Sequence, residues 1–251
     1  MVAREVLSTD PQVLRDLATA RLGTAYFRRQ LVKVRDQDFA APSLLPGWSR
    51  NQLVSHVGYN ARAVARLVTW AATGVETPMY DSSQARADEI EVGATLRPDA
   101  LRSLCEHSAI DLDVRWRDLP DDRWSVTVVT AQGREVPASE TLWMRSREVW
   151  LHAVDLDVGG RFEDIPAPVL HRLLSDVAGM WEKRGELAGF TLGVEAGRSG
   201  RQVTYGDAET AAASVAGPLS HLVGWATGRT SPGHTSLEWR RGQPVEAPRW
   251  L

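Results

Sequence analysis

WMRSREVWLHAVDLDVGG, residues 143–160, carries the period of a helix in its apolar positions and runs out at two glycines. One face of that helix also holds Glu148 and His152. Residues four apart on an α-helix have side chains about one turn apart on one face, so both can reach a single ion. Such a pair is either a surface ion pair, stabilising by about 0.3–0.5 kcal/mol, or two ligands of a metal that lacks a third. The rest of the chain bears on that choice.

The bulk numbers narrow the field. With 251 residues, 43% of them apolar, the chain can bury a sizeable core as one large domain or two modest ones. A net charge of -3 gives no electrostatic case for nucleic acid or for an acidic membrane surface. The single cysteine, Cys105, excludes an intramolecular disulfide framework and any multi-cysteine zinc site, and fits an intracellular compartment. No stretch approaches the roughly 20 apolar residues that span a bilayer, and MVAREVLSTDPQ lacks the apolar run of a signal peptide. The expectation is a soluble cytoplasmic protein.

Outward from the opening stretch, the spacing predicts three further long helices. One starts at Pro11 behind a Thr9 or Asp10 cap, and a second covers roughly 49–73 from a Ser49 cap, with Leu53, Val57, Val64, Leu67 and Val68 as its stripe. A third covers roughly 98–117 with Leu101, Leu104, Leu112 and Trp116, after a polar connection. WSVTVVTAQGREVPAS alternates around Gln-Gly as a short hairpin. The fourth helix begins at Ala138 or Ser139 and points Leu142, Val149 and Leu156 inward. Four such helices predict a four-helix bundle over residues 1–163. Beyond it, a helix at roughly 166–188, the strand-like runs GFTLGVEA, RQVTYG and AAASVAG, a helix PLSHLVGWATG and a last run TSLEWR predict a small α+β domain over 164–251. The fold class is therefore α+β. Ten tryptophans are read as packing residues and receive no chemical role.

Neither a phosphate-cradling glycine loop nor a nucleophile elbow is present, which leaves the histidines. His107, His171 and His234 sit in charged, amphipathic or loop contexts and read as solvated. His56 falls mid-helix beside the apolar stripe, either as a hydrogen-bonded core residue or as a ligand. In a bundle, the second and fourth helices could bring His56 to Glu148 and His152, and two imidazoles with one carboxylate suit a catalytic zinc with open positions. Asn60 and Asp155 lie within reach along the helices as partners for the two histidines.

SLLPGWSRNQLVSHVGYNA and PASETLWMRSREVWLHAVDL together resemble the signature segments of the mycothiol-dependent maleylpyruvate isomerases, a family of the DinB-like metalloenzyme superfamily of four-helix bundles. ARLGTAYFRRQL, TGVETPMY, LRPDALRSLCEHS and PRWL extend the resemblance along nearly the whole chain. It implies a divalent metal, usually zinc, held by His56, Glu148 and His152, and a catalytic arginine in a sterol-carrier-like C-terminal domain, matched by Arg229 in GWATGRTSPG. Arg229 also fits a cation placed at a helix C-terminus, where it meets the helix dipole.

The activity implied is cis-to-trans conversion of maleylpyruvate to fumarylpyruvate in gentisate degradation. A zinc-bound thiolate adds to the alkene, the bond rotates, and the thiolate leaves. Cys105, beside Glu106 with no metal partner, is a poor thiolate. The nucleophile is therefore expected to be mycothiol, with Arg229 facing the substrate in a cleft between the two domains. The alternatives are a zinc-dependent mycothiol S-transferase or conjugate hydrolase of the same superfamily, and a non-enzymatic ligand-binding protein.

Overall fold

A computed structural model of the chain describes residues 5–195, 203–207, 209 and 211–250. Contacts divide the chain into two compact units, Met1–Gly160 and Arg161–Leu251.

In the first unit, helix α1 (Pro11–Lys33) begins where Asp10 accepts from the backbone N–H groups of Gln12 and Val13, with proline in the first turn where no N–H is needed. Helix α2 (Arg50–Thr73) opens with a capping box. Gln52 N–H donates to Ser49 Oγ, and Ser49 N–H donates back to Gln52 Oε1 at 2.9 Å. It stops at Gly74, whose φ of 74° is the left-handed turn that glycine adopts without strain.

The connection read from sequence as a polar segment contains a further helix, α3 (Ser83–Ala94). Among its residues only Ile90 and Gly93 are buried, so it has no apolar stripe for periodicity to detect. Local chemistry specifies it instead. Ser82 caps its start, Ser55 Oγ of α2 donates to Ile90 O at 2.9 Å, and Gly93 lies so close to Ser55 that a Cβ there would collide with the hydroxyl.

Helix α4 (Pro98–Arg117) packs on α2, and strands β1 (Thr127–Val129) and β2 (Glu135–Pro137) form the expected antiparallel hairpin. Helix α5 (Glu140–Asp155) then packs on α1 and α2. The predicted stripe residues Leu53, Val57, Val64, Leu67, Leu101, Leu112, Leu142, Val149 and Leu156 are all buried between α1, α2, α4 and α5. Past its end, Asp157 takes a φ of 53°, which aspartate tolerates better than most residues and which turns the chain away.

The second unit consists of α6 (Ala167–Lys183), β3 (Phe190–Val194), β4 (Val203–Tyr205), β5 (Ala213–Gly217), α7 (Leu219–Ala226) and β6 (Glu238–Arg241). Its sheet runs β4-β3-β5-β6, with β3 and β5 parallel in the register Leu192 to Val215 and the outer pairs antiparallel. Trp225 sits at its centre, edge-on to Trp181 and Trp239 at ring distances of 5.8 and 5.6 Å, and its indole N–H donates to Val245 O. Here the tryptophans are packing residues whose polar edges are satisfied. No described helix is long and apolar enough to cross a membrane.

Candidate metal centre

The N-terminal end of α2 meets the C-terminal end of α5. Arg50, in the first turn of α2, donates from Nε to Leu156 O at 2.6 Å, and Leu44 N–H donates to Asp155 O at 3.0 Å. These ties fix the second turn of α2 against the last two turns of α5, where His56, Glu148 and His152 lie.

The three residues converge. His56 Nε2 is 2.8 Å from Glu148 Oε2 and His152 Nε2 is 3.1 Å from the same oxygen, while the two imidazole rings meet edge to face at 5.2 Å. All three side chains are largely withdrawn from solvent, so the surface-pair reading of Glu148 and His152 does not hold. One potential ligand atom from each lies within 4.8 Å of the others. Among the described residues this is the one group of histidine, cysteine or carboxylate side chains able to share a metal ion.

Asp155, fully buried, accepts from His152 Nδ1 at 2.8 Å. A carboxylate only accepts, so the proton is on Nδ1 and Nε2 is turned to the centre. Asn60 has a different partner from the one expected. Its Oδ1 accepts from Arg145 Nη1 at 2.9 Å. The Nδ1 of His56 instead faces Arg86 of α3, with Nη2 at 3.5 Å, and Trp48 stands edge-on to the ring.

The electrostatics follow from these partners. Burial is the largest influence on each group and pushes His56 below the ordinary histidine value, against the pull of Glu148. His152 is equally buried, yet hydrogen bonds and charge from Asp155 and Glu148 outweigh burial and raise it. Burial alone would raise Glu148 too, but the hydrogen bonds from His152 and His56 hold it well below the usual carboxylate range. A carboxylate kept ionised, with two imidazole Nε2 atoms turned to one of its oxygens, is a donor set that fits a divalent cation.

Two guanidinium groups border the centre that sequence patterns did not single out. Besides Arg86, Arg147 Nη2 stands 3.4 Å from Glu148 Oε1. Arg86 belongs to the helix that periodicity missed, and Arg147 lies beside Glu148 on α5. Cys105, by contrast, is buried, donates its thiol to Val54 O at 3.2 Å, and is pushed up to about 12 by burial. Arg229, in the second unit just past α7, donates from Nη1 to Thr227 O at 2.5 Å, an arrangement that suits a cation at a helix C-terminus.

A helical bundle that gathers two imidazoles and a carboxylate from two of its helices defines the class of bundle proteins able to hold a catalytic metal. Residues 20–157 match the mycothiol maleylpyruvate isomerase N-terminal domain and residues 164–246 the MDMPI C-terminal domain, so the chain belongs to the mycothiol maleylpyruvate isomerase family. Two solved structures are similar over nearly their whole length. A mycothiol-dependent maleylpyruvate isomerase is 46% identical, with 95% of this chain and 97% of that one covered and a TM-score of 0.86. A histidine-to-alanine variant of a mycothiol-dependent maleylpyruvate isomerase is 45% identical over the same shares, with a TM-score of 0.87. Among curated proteins, none matches the sequence.

Proposed function

We propose that the chain catalyses the mycothiol-dependent cis-trans isomerisation of maleylpyruvate to fumarylpyruvate, with His56, Glu148 and His152 holding a zinc ion and Arg229 meeting the substrate. The observation that carries this reading is the buried triad, in a chain similar over 95% of its length to a mycothiol-dependent maleylpyruvate isomerase.

Rotation about the substrate's double bond requires that bond to become single. A thiolate achieves this by adding to the alkene carbon β to the keto group. The new C–S bond forms as the π pair moves onto the keto oxygen, the adduct rotates, and the pair returns as the C–S bond breaks. No net oxidation occurs and the thiol is regenerated. Divalent zinc, when bound, would lower the pKa of a thiol sulfur so that thiolate exists at neutral pH.

The chain's residues prepare and receive these events. Asp155 orients His152, and the buried Glu148 stays ionised, so the donors are ready without rearrangement. Arg86 and Arg147 give the rim of the centre a positive character suited to a substrate with two carboxylates. Arg229 offers a planar fork of donors to a carboxylate or to the enolate oxygen. The nucleophile comes from outside the chain, because Cys105 is buried with its thiol pushed to about 12.

The test is a maleylpyruvate isomerisation assay on purified protein, with and without mycothiol, beside His152→Ala. Activity that requires mycothiol and disappears in the variant is the expected result. Metal-loaded protein that stays inactive with mycothiol would overturn the substrate assignment and favour a transferase.

A further inference from the structure

Helices α1 and α4 border a cleft of about 260 Å³. Two ion pairs bridge it. Arg21 of α1 grips Asp113 of α4 through Nε and Nη2 at 2.6 and 3.1 Å, and two turns along, Arg28 Nη2 meets Glu106 at 2.5 Å. Between the bridges the lining holds the small Thr24 and Ala25 on one helix, and Ala109 beside Ile110 on the other. Apart from the two ion pairs, the lining includes the buried Leu112, Trp116 and Arg145.

Arg145 is the anomaly. It is 2% exposed, and among the described residues no carboxylate lies within ion-pair distance of it. Nη1 is engaged, donating to Val57 O and Asn60 Oδ1 of α2, but Nε is buried without a hydrogen-bond partner. Burial has lowered this guanidinium to about 10. A buried cation is ordinarily paired, because removing a charge from water is costly unless an opposite charge receives it. Glu148 is three residues away on the same helix, but its oxygens already serve His56, His152 and Arg147. Tying α5 to α2 explains Nη1 and leaves Nε unaccounted for.

We propose that the cleft between α1 and α4 binds a small monocarboxylate with an apolar body, its carboxylate received by Arg145 and its body by the apolar wall around Leu112 and Trp116. The size is suitable, since an apolar cavity of about 150 Å³ already holds benzene. Arg21 and Arg28 of the lining are already paired with Asp113 and Glu106, so the one remaining guanidinium, Arg145, matches a single carboxylate rather than a phosphate, which would leave oxygens without donors. The cleft is lined by α1, α4 and the middle of α5, whereas the triad is carried by the ends of α2 and α5. The site therefore stands independently of the isomerase reading.

The probes are sodium hexanoate and its neutral counterpart, 1-hexanol, titrated calorimetrically into the full chain as purified and again with chelator present. Hexanoate is expected to saturate one site per chain in both conditions, with hexanol at least about tenfold weaker, because a hydrogen bond to a buried charge is lost. Arg145→Gln is expected to weaken hexanoate by a similar factor. Since that variant also loosens α5 from α2, Ala109→Phe serves as the second test, filling the cleft while leaving Arg145 and the histidines in place. Equal binding of hexanol and hexanoate, hexanoate binding to Ala109→Phe as tight as to the parent chain, or no saturable binding at all overturns the proposal.

Discussion

Asp155 Oδ2 lies 2.8 Å from His152 Nδ1, and this contact separates two otherwise similar histidines. His56 and His152 share one carboxylate oxygen and are both buried, yet only His152 has a carboxylate behind it, and only His152 is raised. Replacing Asp155 by Asn removes the anion and allows the ring to adopt the other tautomer. Zinc affinity is expected to fall about 10- to 100-fold. A competition titration against a chromogenic chelator measures it, and an unchanged dissociation constant would falsify the role assigned to Asp155.

Arg229→Ala separates the chemistry from the metal. If the guanidinium serves the anionic oxygen of the substrate, activity falls about 10²- to 10³-fold, while metal content stays near that of the parent chain. Should metal or fold be lost with it, the contact of Nη1 with Thr227 O is the residue's true business.

Cys105 gives a test of reactivity. With its thiol buried and pushed up to about 12, it is expected to resist iodoacetamide at pH 8 in the native protein and to react fully in denaturant. Cys105→Ala is expected to retain mycothiol-dependent activity. Rapid native alkylation, monitored by mass spectrometry, contradicts the burial argument.

At the start of the bundle, Asp121 accepts from Ser8 Oγ at 2.5 Å and from Thr9 N–H and Oγ1 at 3.0 and 2.7 Å. These hydrogen bonds hold its carboxyl below the ordinary aspartate value. A depressed folded-state pKa means that the stabilisation is fully present above the unfolded value of about 3.9 and is lost as pH falls through the lower folded value. Residues 8 and 9 should therefore loosen in acid before the helices do. Amide exchange at Thr9 followed against pH checks this, with Asp121→Asn expected to exchange fast at every pH.

Much of this was legible from residue order. Caps at Asp10 and Ser49, the apolar stripes, the Gln-Gly turn and the pairing of Glu148 with His152 are local signals, and the structure repeats them. The convergence of His56 on that pair, across 92 positions of chain, required the bundle as an intermediate step. What escaped was set by tertiary context. Helix α3 has too small a buried face to carry a period, so Arg86 went unnoticed with it. Arg145 in MRSRE drew no attention from spacing, and only packing reveals that it lies inside and accounts for Asn60. Asp155 was reachable from spacing because it lies one turn from its partner on the same helix.

The concealment of the chain's one cysteine reaches beyond catalysis. A protein that works with a small dissolved thiol also meets the oxidised form of that thiol, and an accessible cysteine would be captured by it as a mixed disulfide. With Cys105 sealed against the Val54 carbonyl, the folded chain presents no sulfur for that exchange. Oxidation of the thiol pool would then withdraw the co-reactant and leave the protein itself unmarked, ready to resume when the pool is reduced again.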